Sequence, residues 1–277
     1  MIYYSIPLLL ILSALALITG ACLGSFLNCL AYRLGRGESV LKGRSHCDSC
    51  GHTLGALDLI PIFSYIFCGG KCRYCKAKLS AGHILAELIT ALGFLGVLLR
   101  YDFAFETVIG MAFTAVLMAV SLTDLYSYTI PDGFILFGAL IRIIYIFTLN
   151  NRWAVLLSSL IGGFAVAGAV LLIVIIFEKI KKTEAMGGGD IKLIFLCGLY
   201  LGWQKNILCL LLSCIIGIIF GYFALKRNAG NDGSAVGESG GELSPLFPWG
   251  PSIAAAAWLS YIFGDYLVAA YLTLISA

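Results

Sequence analysis

"WAVLLSSLIGGFAVAGAVLLIVIIF", residues 153–177, decides the fold class, because the whole run passes without one charged side chain. A helix needs about 20 consecutive apolar residues to cross the hydrocarbon core of a bilayer. The complete chain of 277 residues is 60% hydrophobic and only 12% charged, whereas soluble domains are about 45–50% apolar and about 25% charged. The composition therefore predicts an all-α polytopic membrane protein.

Seven more apolar segments are candidates for membrane spans, so we expect about eight transmembrane helices in total. These seven lie at 4–32, 83–100, 105–124, 133–149, 191–203, 206–225 and 252–275. The first is too long for the apolar region of a signal peptide and has no basic residue before it, so we expect it to be retained. The tight connections near 101–104, 150–152 and 203–205 predict antiparallel helix pairs.

Basic residues are distributed unevenly between the two sides of the predicted membrane core. Cytoplasmic loops accumulate Lys and Arg. One set of loops carries Arg33, Arg36, Lys42, Arg44, Lys71, Arg73, Lys76, Lys78, Lys179, Lys181, Lys182, Lys226 and Arg227. The opposite set carries only Arg100, Arg152 and Lys205. This asymmetry predicts that the first set is cytoplasmic and that both termini lie outside.

The spans divide the chain into three predicted parts. Residues 1–32 form the first transmembrane helix, 33–82 a small cytoplasmic loop domain, and 83–277 a seven-helix membrane core. Within the core, the Gly- and Ser-rich segment 227–245 is predicted to be a flexible loop. Arg142 falls inside the fourth span, so we expect it to face the bundle and pair with an acid or a carbonyl.

Two C-x-x-C pairs, "CDSC" at 47–50 and "CRYC" at 72–75, stand in the predicted cytoplasmic loop. Their spacing is close to that of four-cysteine zinc sites, in which two knuckles supply four thiolates to a tetrahedral ion. Disulfides are the main alternative, and the reducing cytosol disfavours them. A redox pair would need only one C-x-x-C motif. The predicted zinc ligands are Cys47, Cys50, Cys72 and Cys75, with Cys68, His46 and His52 nearby as spare ligands.

"AMGGGDIKL", 185–193, places Asp190 directly after three glycines, at the cytoplasmic end of a predicted span. Glycines permit positive φ and close backbone approach. An unwound start to a membrane helix would also admit water and an extended peptide. The alternative is a helix-capping acid, because the N-terminal turn of a helix favours negative charge.

A second acidic stretch, "SLTDLYSYTIPD" at 121–132, ends the third predicted span. Asp132 follows Pro131 near the start of the next helix, where the helix dipole favours an acid. Asp124 lies at a helix C-terminus, where the dipole disfavours an anion. We therefore expect Asp124, rather than Asp132, to be the functional acid of this stretch.

Asp124 and Asp190 fall on the same membrane face at similar depth in the predicted topology. Two carboxylates held close together share a proton and titrate as a pair. One can then activate a water while the other, protonated, polarises a carbonyl. This is aspartyl-protease chemistry.

At this point the sequence resembles the type IV prepilin peptidase family of the bacterial inner membrane, GxGD-type membrane proteases that are also N-methyltransferases. The resemblance spans nearly the whole chain and is carried by "GSFLNCLAYRL" (24–34), the paired cysteines with "DLIPIFSY" (58–65), "AELITA" (86–91), "DLYSYTIPD" (124–132), "GGGDIKL" (187–193) and "FPWGP" (247–251). The family commonly has Phe where this chain has Trp249, and Cys68 is an extra thiol.

The resemblance implies that Asp124 and Asp190 are catalytic and that the four cysteines form the family's cytoplasmic zinc-binding loop. It further implies cleavage of prepilin or pseudopilin leaders after a glycine, followed by methylation of the new N-terminus with S-adenosylmethionine. No separate cofactor motif is visible. Glu87, one turn beyond His83, is expected to make a polar contact within the bundle.

Two alternatives of another class remain open. A transporter could use the intramembrane acids as proton relays, although the two repeated halves of many transporters are not evident. A membrane-anchored zinc module could serve as an interaction platform, which would require neither aspartate. We expect the lipid bilayer as a partner and no nucleic acid.

Overall fold

The computed structural model describes residues 6–40, 43–183, 186–229 and 248–276 of the chain. Within these ranges the protein is helical and has no β-strand, only two isolated β-bridges. A 3-10 helix spans Ala56–Leu59, and the α-helices are α1 (Ile6–Gly35), α2 (Phe63–Phe67), α3 (Ala81–Tyr101), α4 (Phe105–Ser127), α5 (Asp132–Thr148), α6 (Arg152–Lys181), α7 (Gly188–Ala229) and α8 (Gly250–Ser276). The predicted all-α class is confirmed.

Among the described residues, six helices are long and apolar enough to cross a membrane, namely α1, α3, α4, α6, α7 and α8. Helix α5 has 17 residues, which is the lower end of the range of about 17–25 residues for a span. Helix α7 contains two of the predicted apolar segments. Over the described residues, each of the eight predicted segments falls in a helix, apart from Leu149 just after the end of α5, and the chain is a multi-pass membrane protein.

The first of two compact units is Met1–Ser127, in which α1 packs along α3 and α4. The contact with α3 is close because Gly20 and Gly24, one turn apart on α1, present no side chain. A Cβ at Gly20 would lie 2.7 Å from the Ala91 Cα, and one at Gly24 would lie 2.8 Å from the Ala86 carbonyl oxygen. Small residues at this spacing let two membrane helices approach backbone to backbone.

The second unit is Tyr128–Ala277, in which α7 packs against α5, α6 and α8. Helix α7 is not straight, because Gly202 has φ 72° and ψ 178°. The Asn206 side-chain amide donates to the Ile194 carbonyl at 3.2 Å, although twelve residues of unbroken helix span about 18 Å. The stretches 188–201 and 203–229 therefore fold back on each other, which confirms the antiparallel pair predicted at this connection.

Neighbouring helices support the break in α7. Arg142 of α5 donates from Nε to the Leu199 carbonyl at 3.0 Å. In an unbroken helix that carbonyl would accept from the N–H four residues on, which lies beyond Gly202. Asn206 also donates to the Gly162 carbonyl of α6 at 2.9 Å. Arg142 thus pairs with a carbonyl inside the bundle, as the sequence predicted.

The predicted loop 227–245 begins later than expected, because α7 continues to Ala229. Its remaining residues lie outside the described ranges. The division of the chain into 1–32, 33–82 and 83–277 stays a prediction.

Candidate active site and metal centre

The four cysteines of the two C-x-x-C pairs come together in the first unit. The sulfur atoms of Cys47, Cys50, Cys72 and Cys75 all lie within 4.8 Å of one another, and the Cys47 and Cys75 sulfurs are 3.8 Å apart. Two sulfurs that each lie about 2.3 Å from a tetrahedral zinc ion are about 3.8 Å apart. The group could therefore hold one zinc ion. All the cysteines of the chain are free thiols, so the disulfide alternative has no counterpart in the structure.

Two knuckles with the same backbone geometry present these thiols. The Gly51 N–H donates to the Cys47 carbonyl at 2.8 Å, and the Lys76 N–H donates to the Cys72 carbonyl at 3.0 Å. Gly51 and Lys76 have φ 70° and 61°. The residue after each second cysteine thus adopts the left-handed conformation that closes the turn, which glycine adopts freely and a lysine adopts at some strain.

Asp58 connects the segment that precedes the second knuckle with the knuckle itself. Its Oδ2 accepts from the Gly55 N–H at 3.0 Å and from the Tyr74 hydroxyl at 3.2 Å. Its Oδ1 lies 3.3 Å from Arg73 Nε. The Tyr74 ring lies against His52, with the ring centroids 3.6 Å apart. These contacts join the two knuckles around the cysteine group.

The spare ligands considered from the sequence are not part of the group, which consists of the four cysteines of the two knuckles. The His52 ring packs against the Tyr74 ring, and His46 Nδ1 lies 3.4 Å from the Arg44 carbonyl oxygen. Four thiolates complete a tetrahedral shell without them.

The thiols of this group differ in acidity. Backbone N–H groups of Cys50 and Ser49 lower the pKa of Cys47 to about 7, against the opposing effect of burial. At Cys75 the Ala77 N–H favours the thiolate, but desolvation and the neighbouring sulfurs outweigh it and raise the pKa to about 11. Close thiols compete for protons in this way. A divalent cation relieves that competition, because it binds the thiolate forms.

Asp124 lies in the last turn of α4, within the first unit, and only 6% of the residue is exposed. The negative end of the helix dipole and the loss of water both disfavour a carboxylate in this place. Stabilising the helix end is therefore a poor explanation for an acid here.

Asn28, which sequence reasoning did not single out, links three helices near Asp124. Tyr126 of α4 donates from its hydroxyl to Asn28 Oδ1 at 2.8 Å. The Asn28 amide in turn lies 2.6 Å from His83 Nδ1 of α3. These hydrogen bonds of the buried Asn28 tie the end of α4 that carries Asp124 to α1 and α3. Asn28 and Tyr126 both lie in the motif segments, but nothing local in the sequence pairs them.

Glu87 of α3 is buried, and its carboxylate accepts from the Ile62 N–H at 2.6 Å. A polar contact is therefore present, but it is not the contact within the bundle that the sequence predicted. Its partner is the backbone of the cysteine loop.

Asp190 lies half-buried in the first turn of α7, within the second unit. The preceding glycines do not adopt positive φ, contrary to one expectation. The structure instead requires a residue without a side chain at Gly189. A Cβ at Gly189 would lie 3.0 Å from the Ile130 Cβ, so α7 starts in close contact with that residue. A Cβ at Gly188 would meet no atom of the described chain within 4 Å, so the space at this first residue of α7 is open.

Asp132 has a different setting. It is the first residue of α5, and its exposed carboxylate lies 2.6 Å from Lys192 Nζ. A first-turn acid with a lysine partner fits the structural role predicted for it.

The fold and these groups define a class: a multi-pass helical membrane protein with acids at helix ends and a four-cysteine loop. Comparison with known families gives the identity. The model of the bacterial peptidase A24 N-terminal domain matches residues 18–101, and that of the type IV leader peptidase family matches residues 111–222. The chain belongs to the type IV leader peptidase family, which is a family of aspartic peptidases.

The sequence is similar to those of curated relatives along most of its length. A prepilin leader peptidase/N-methyltransferase of Aeromonas salmonicida is 32% identical over 249 residues, covering 86% of this chain and 77% of the relative. Proteins with the same name from Pseudomonas aeruginosa and Bacillus subtilis are each 31% identical, covering 96% and 92% of this chain and 94% and 96% of the relatives. No solved structure matched the chain.

Proposed function

We propose that this protein is an aspartyl endopeptidase of the bacterial inner membrane that removes the basic leader of type IV prepilins or pseudopilins. Cleavage follows a glycine at the cytoplasmic membrane face, and Asp124 and Asp190 are the catalytic pair. Membership of the type IV leader peptidase family supports the reaction class, and the names of the relatives support the substrate class.

The burial of Asp124 is the observation that carries the assignment. An aspartate that is 6% exposed in the last turn of a membrane helix occupies a costly position. Asp132, eight residues on, shows what a structural acid does in the same chain: it is exposed and paired with Lys192. Intramembrane acids in positions like that of Asp124 mark function.

The chemistry requires one proton shared by two carboxyls. The ionised member takes a proton from water as the water oxygen attacks the carbonyl carbon of the glycine residue. The protonated member donates its proton to the carbonyl oxygen, which gives a tetrahedral intermediate. Collapse of the intermediate breaks the C–N bond, and a proton passes to the leaving amine. No metal takes part in these steps.

A prepilin suits the site as a substrate. Its positive leader belongs on the cytoplasmic side by the same charge rule that orients this chain, and its apolar helix can lie in the bilayer beside these spans. The space at Gly188, two residues before Asp190, is open in the described chain, which leaves room for an extended backbone to approach the start of α7. Both chain termini lie outside in this orientation.

Methylation of the new N-terminus is the second proposed activity, with S-adenosylmethionine as methyl donor. It rests on the N-methyltransferase part of the relatives' names. The zinc ion is proposed to be structural, because four thiolate ligands leave no coordination position for water or substrate. The cysteine loop then provides a folded surface on the side where the new N-terminus emerges.

Leader removal in detergent solution tests this proposal against a transporter and an interaction platform. Purified protein is mixed with a prepilin, and the substrate mass is followed by mass spectrometry. We expect loss of the leader at the bond after the glycine, in micelles that support no ion gradient. An intact prepilin after prolonged incubation with folded protein would refute the peptidase assignment.

A further inference from the structure

One stretch of the cysteine loop exposes many large apolar side chains. This stretch, residues 57–67, is called the apolar ledge below. Its exposed members are Leu57, Leu59, Ile60, Phe63, Ile66 and Phe67. Phe67 is 82% exposed. A contiguous set of exposed apolar residues marks a surface that contacts a partner or a membrane.

Glu87 ties the ledge to the early turns of α3. This residue lies six positions after Ala81, the first residue of α3, which places it about 9 Å along the helix axis. Its buried carboxylate accepts from the Ile62 N–H at 2.6 Å. The middle of the ledge therefore lies beside the first turns of a helix that is long and apolar enough to span a membrane.

The backbone at this anchor is strained. Ile62 has φ 64° and ψ −53°, and the Phe63 N–H donates to the Pro61 carbonyl at 2.6 Å. This is a γ-turn with a β-branched residue at positive φ, which is a rare and unfavourable conformation. Such strain persists where the surroundings enforce it and is often tied to function. Here the turn aims the Ile62 N–H at Glu87.

Basic side chains follow the ledge. Lys71, Lys76 and Lys78 are exposed on or beside the second knuckle. Apolar residues flanked by lysines are typical of segments that lie in the membrane interface, where the lysines meet anionic headgroups.

We propose that the apolar ledge inserts into the cytoplasmic leaflet of the bilayer and that Glu87 locks it there. The cysteine loop is then held against the membrane surface at its two covalent ends and at this ledge. The partner is lipid. The proposal concerns only the first unit and does not depend on the peptidase assignment.

Photo-crosslinking to lipid tests the proposal. The full-length protein carries benzoylphenylalanine in place of Phe67, is reconstituted in nanodiscs with anionic phospholipid, and is irradiated; lipid adducts are measured by mass spectrometry. The same residue in place of Leu92, an exposed position of α3, is the positive control. Placed at Ser49, an exposed position of the first knuckle, it is the negative control. We expect frequent lipid adducts at 67 and 92 and few at 49.

Variants of Glu87 test the anchor in the same assay. Glu87→Gln keeps an oxygen that accepts from Ile62 and should keep the adducts at position 67. Glu87→Ala should reduce them about tenfold, because a hydrogen bond to a charged group is lost. Adducts at 67 as rare as those at 49 would overturn the proposal. So would adducts at 67 to an added prepilin or a second copy of the chain instead of lipid.

Discussion

At the scale of single residues, Asp124 and Asp132 show how position separates two acids of the same stretch. Asp132 is exposed, starts a helix and pairs with Lys192. An exposed ion pair of this kind contributes about 0–1 kcal/mol to stability. Asp124 is buried and ends a helix, where each of these factors opposes its charge. The structural role predicted for Asp132 therefore fits its setting, whereas the helix dipole gives no reason for an acid at Asp124.

The metal centre gives the first prediction. Four thiolates form one closed tetrahedral shell, so purified protein should contain about one zinc per chain by elemental analysis. Serine does not replace a thiolate as a zinc ligand, so the metal should be lost when all four knuckle cysteines are changed to serine: Cys47, Cys50, Cys72 and Cys75.

Cys68→Ser is the matched control, because Cys68 lies in the same loop but outside the group. This variant should keep its zinc. Stoichiometric zinc in the four-serine variant would instead point to the histidines and Cys68 as ligands.

Residues could be predicted from the sequence where the signal is local. The two cysteines of each knuckle are separated by two residues, and Asp190 follows a run of glycines, so a few neighbouring residues are enough to indicate each candidate. The relay between Asn28 and Tyr126 was not predictable, because its members lie 98 residues apart in the chain. The hydrogen bond from Ile62 to Glu87 depends on a strained turn that no composition rule indicates.

At the scale of helices, each unit is held together by close helix crossings at which glycines allow the two backbones to meet. Gly198 of α7 meets Gly162 of α6, and a Cβ at Gly198 would lie 2.3 Å from the Gly162 carbonyl oxygen. In lipid, such contact between backbones replaces the hydrophobic effect as a source of helix association. The crossing also fixes the stretch 188–201, which carries Asp190 at its start.

Gly198→Ala should therefore destabilise the protein. One added methyl group at a crossing this close must push the helices apart, at about 1–3 kcal/mol. The midpoint of thermal unfolding in detergent should fall accordingly. Gly168→Ala is the matched control in the same unit, since a Cβ there meets no atom of the described residues within 4 Å. It should be neutral or slightly stabilising. Equal midpoints for the two variants would contradict this account of the crossing.

Helix positions were predictable from apolar length, while the break in α7 was only partly so. The sequence indicated two segments around residue 204 because polar residues interrupt the run. Periodicity did not indicate that the chain turns at Gly202, that Arg142 supports the break, or that the second stretch continues to Ala229. Those details depend on the packing of α5 and α6 against α7.

At the scale of the whole molecule, the two proposed activities should be separable. In the proposed function, proteolysis needs the two acids, whereas methyl transfer is proposed to present a soluble cofactor to the new N-terminus near the cysteine loop. Variants Asp124→Asn and Asp190→Asn should therefore still methylate a pre-cleaved pilin. The four-serine variant should not, even where some cleavage survives. The measurement is incorporation of labelled methyl groups from S-adenosylmethionine, scored beside leader removal. Normal methylation by the four-serine variant would exclude the loop from that reaction.

The catalytic pair is the central claim, and the rate of leader removal by the three Asp→Asn variants tests it most directly. An amide can neither accept a proton as the base nor donate one as the acid. Asp124→Asn and Asp190→Asn should thus each lower the rate at least several hundredfold, within the range of about 10²–10⁴ for general acid–base catalysis. Asp132→Asn, which loses only an exposed ion pair with Lys192, should cleave at close to the wild-type rate. Near-normal cleavage by either the Asp124 or the Asp190 variant would contradict the account.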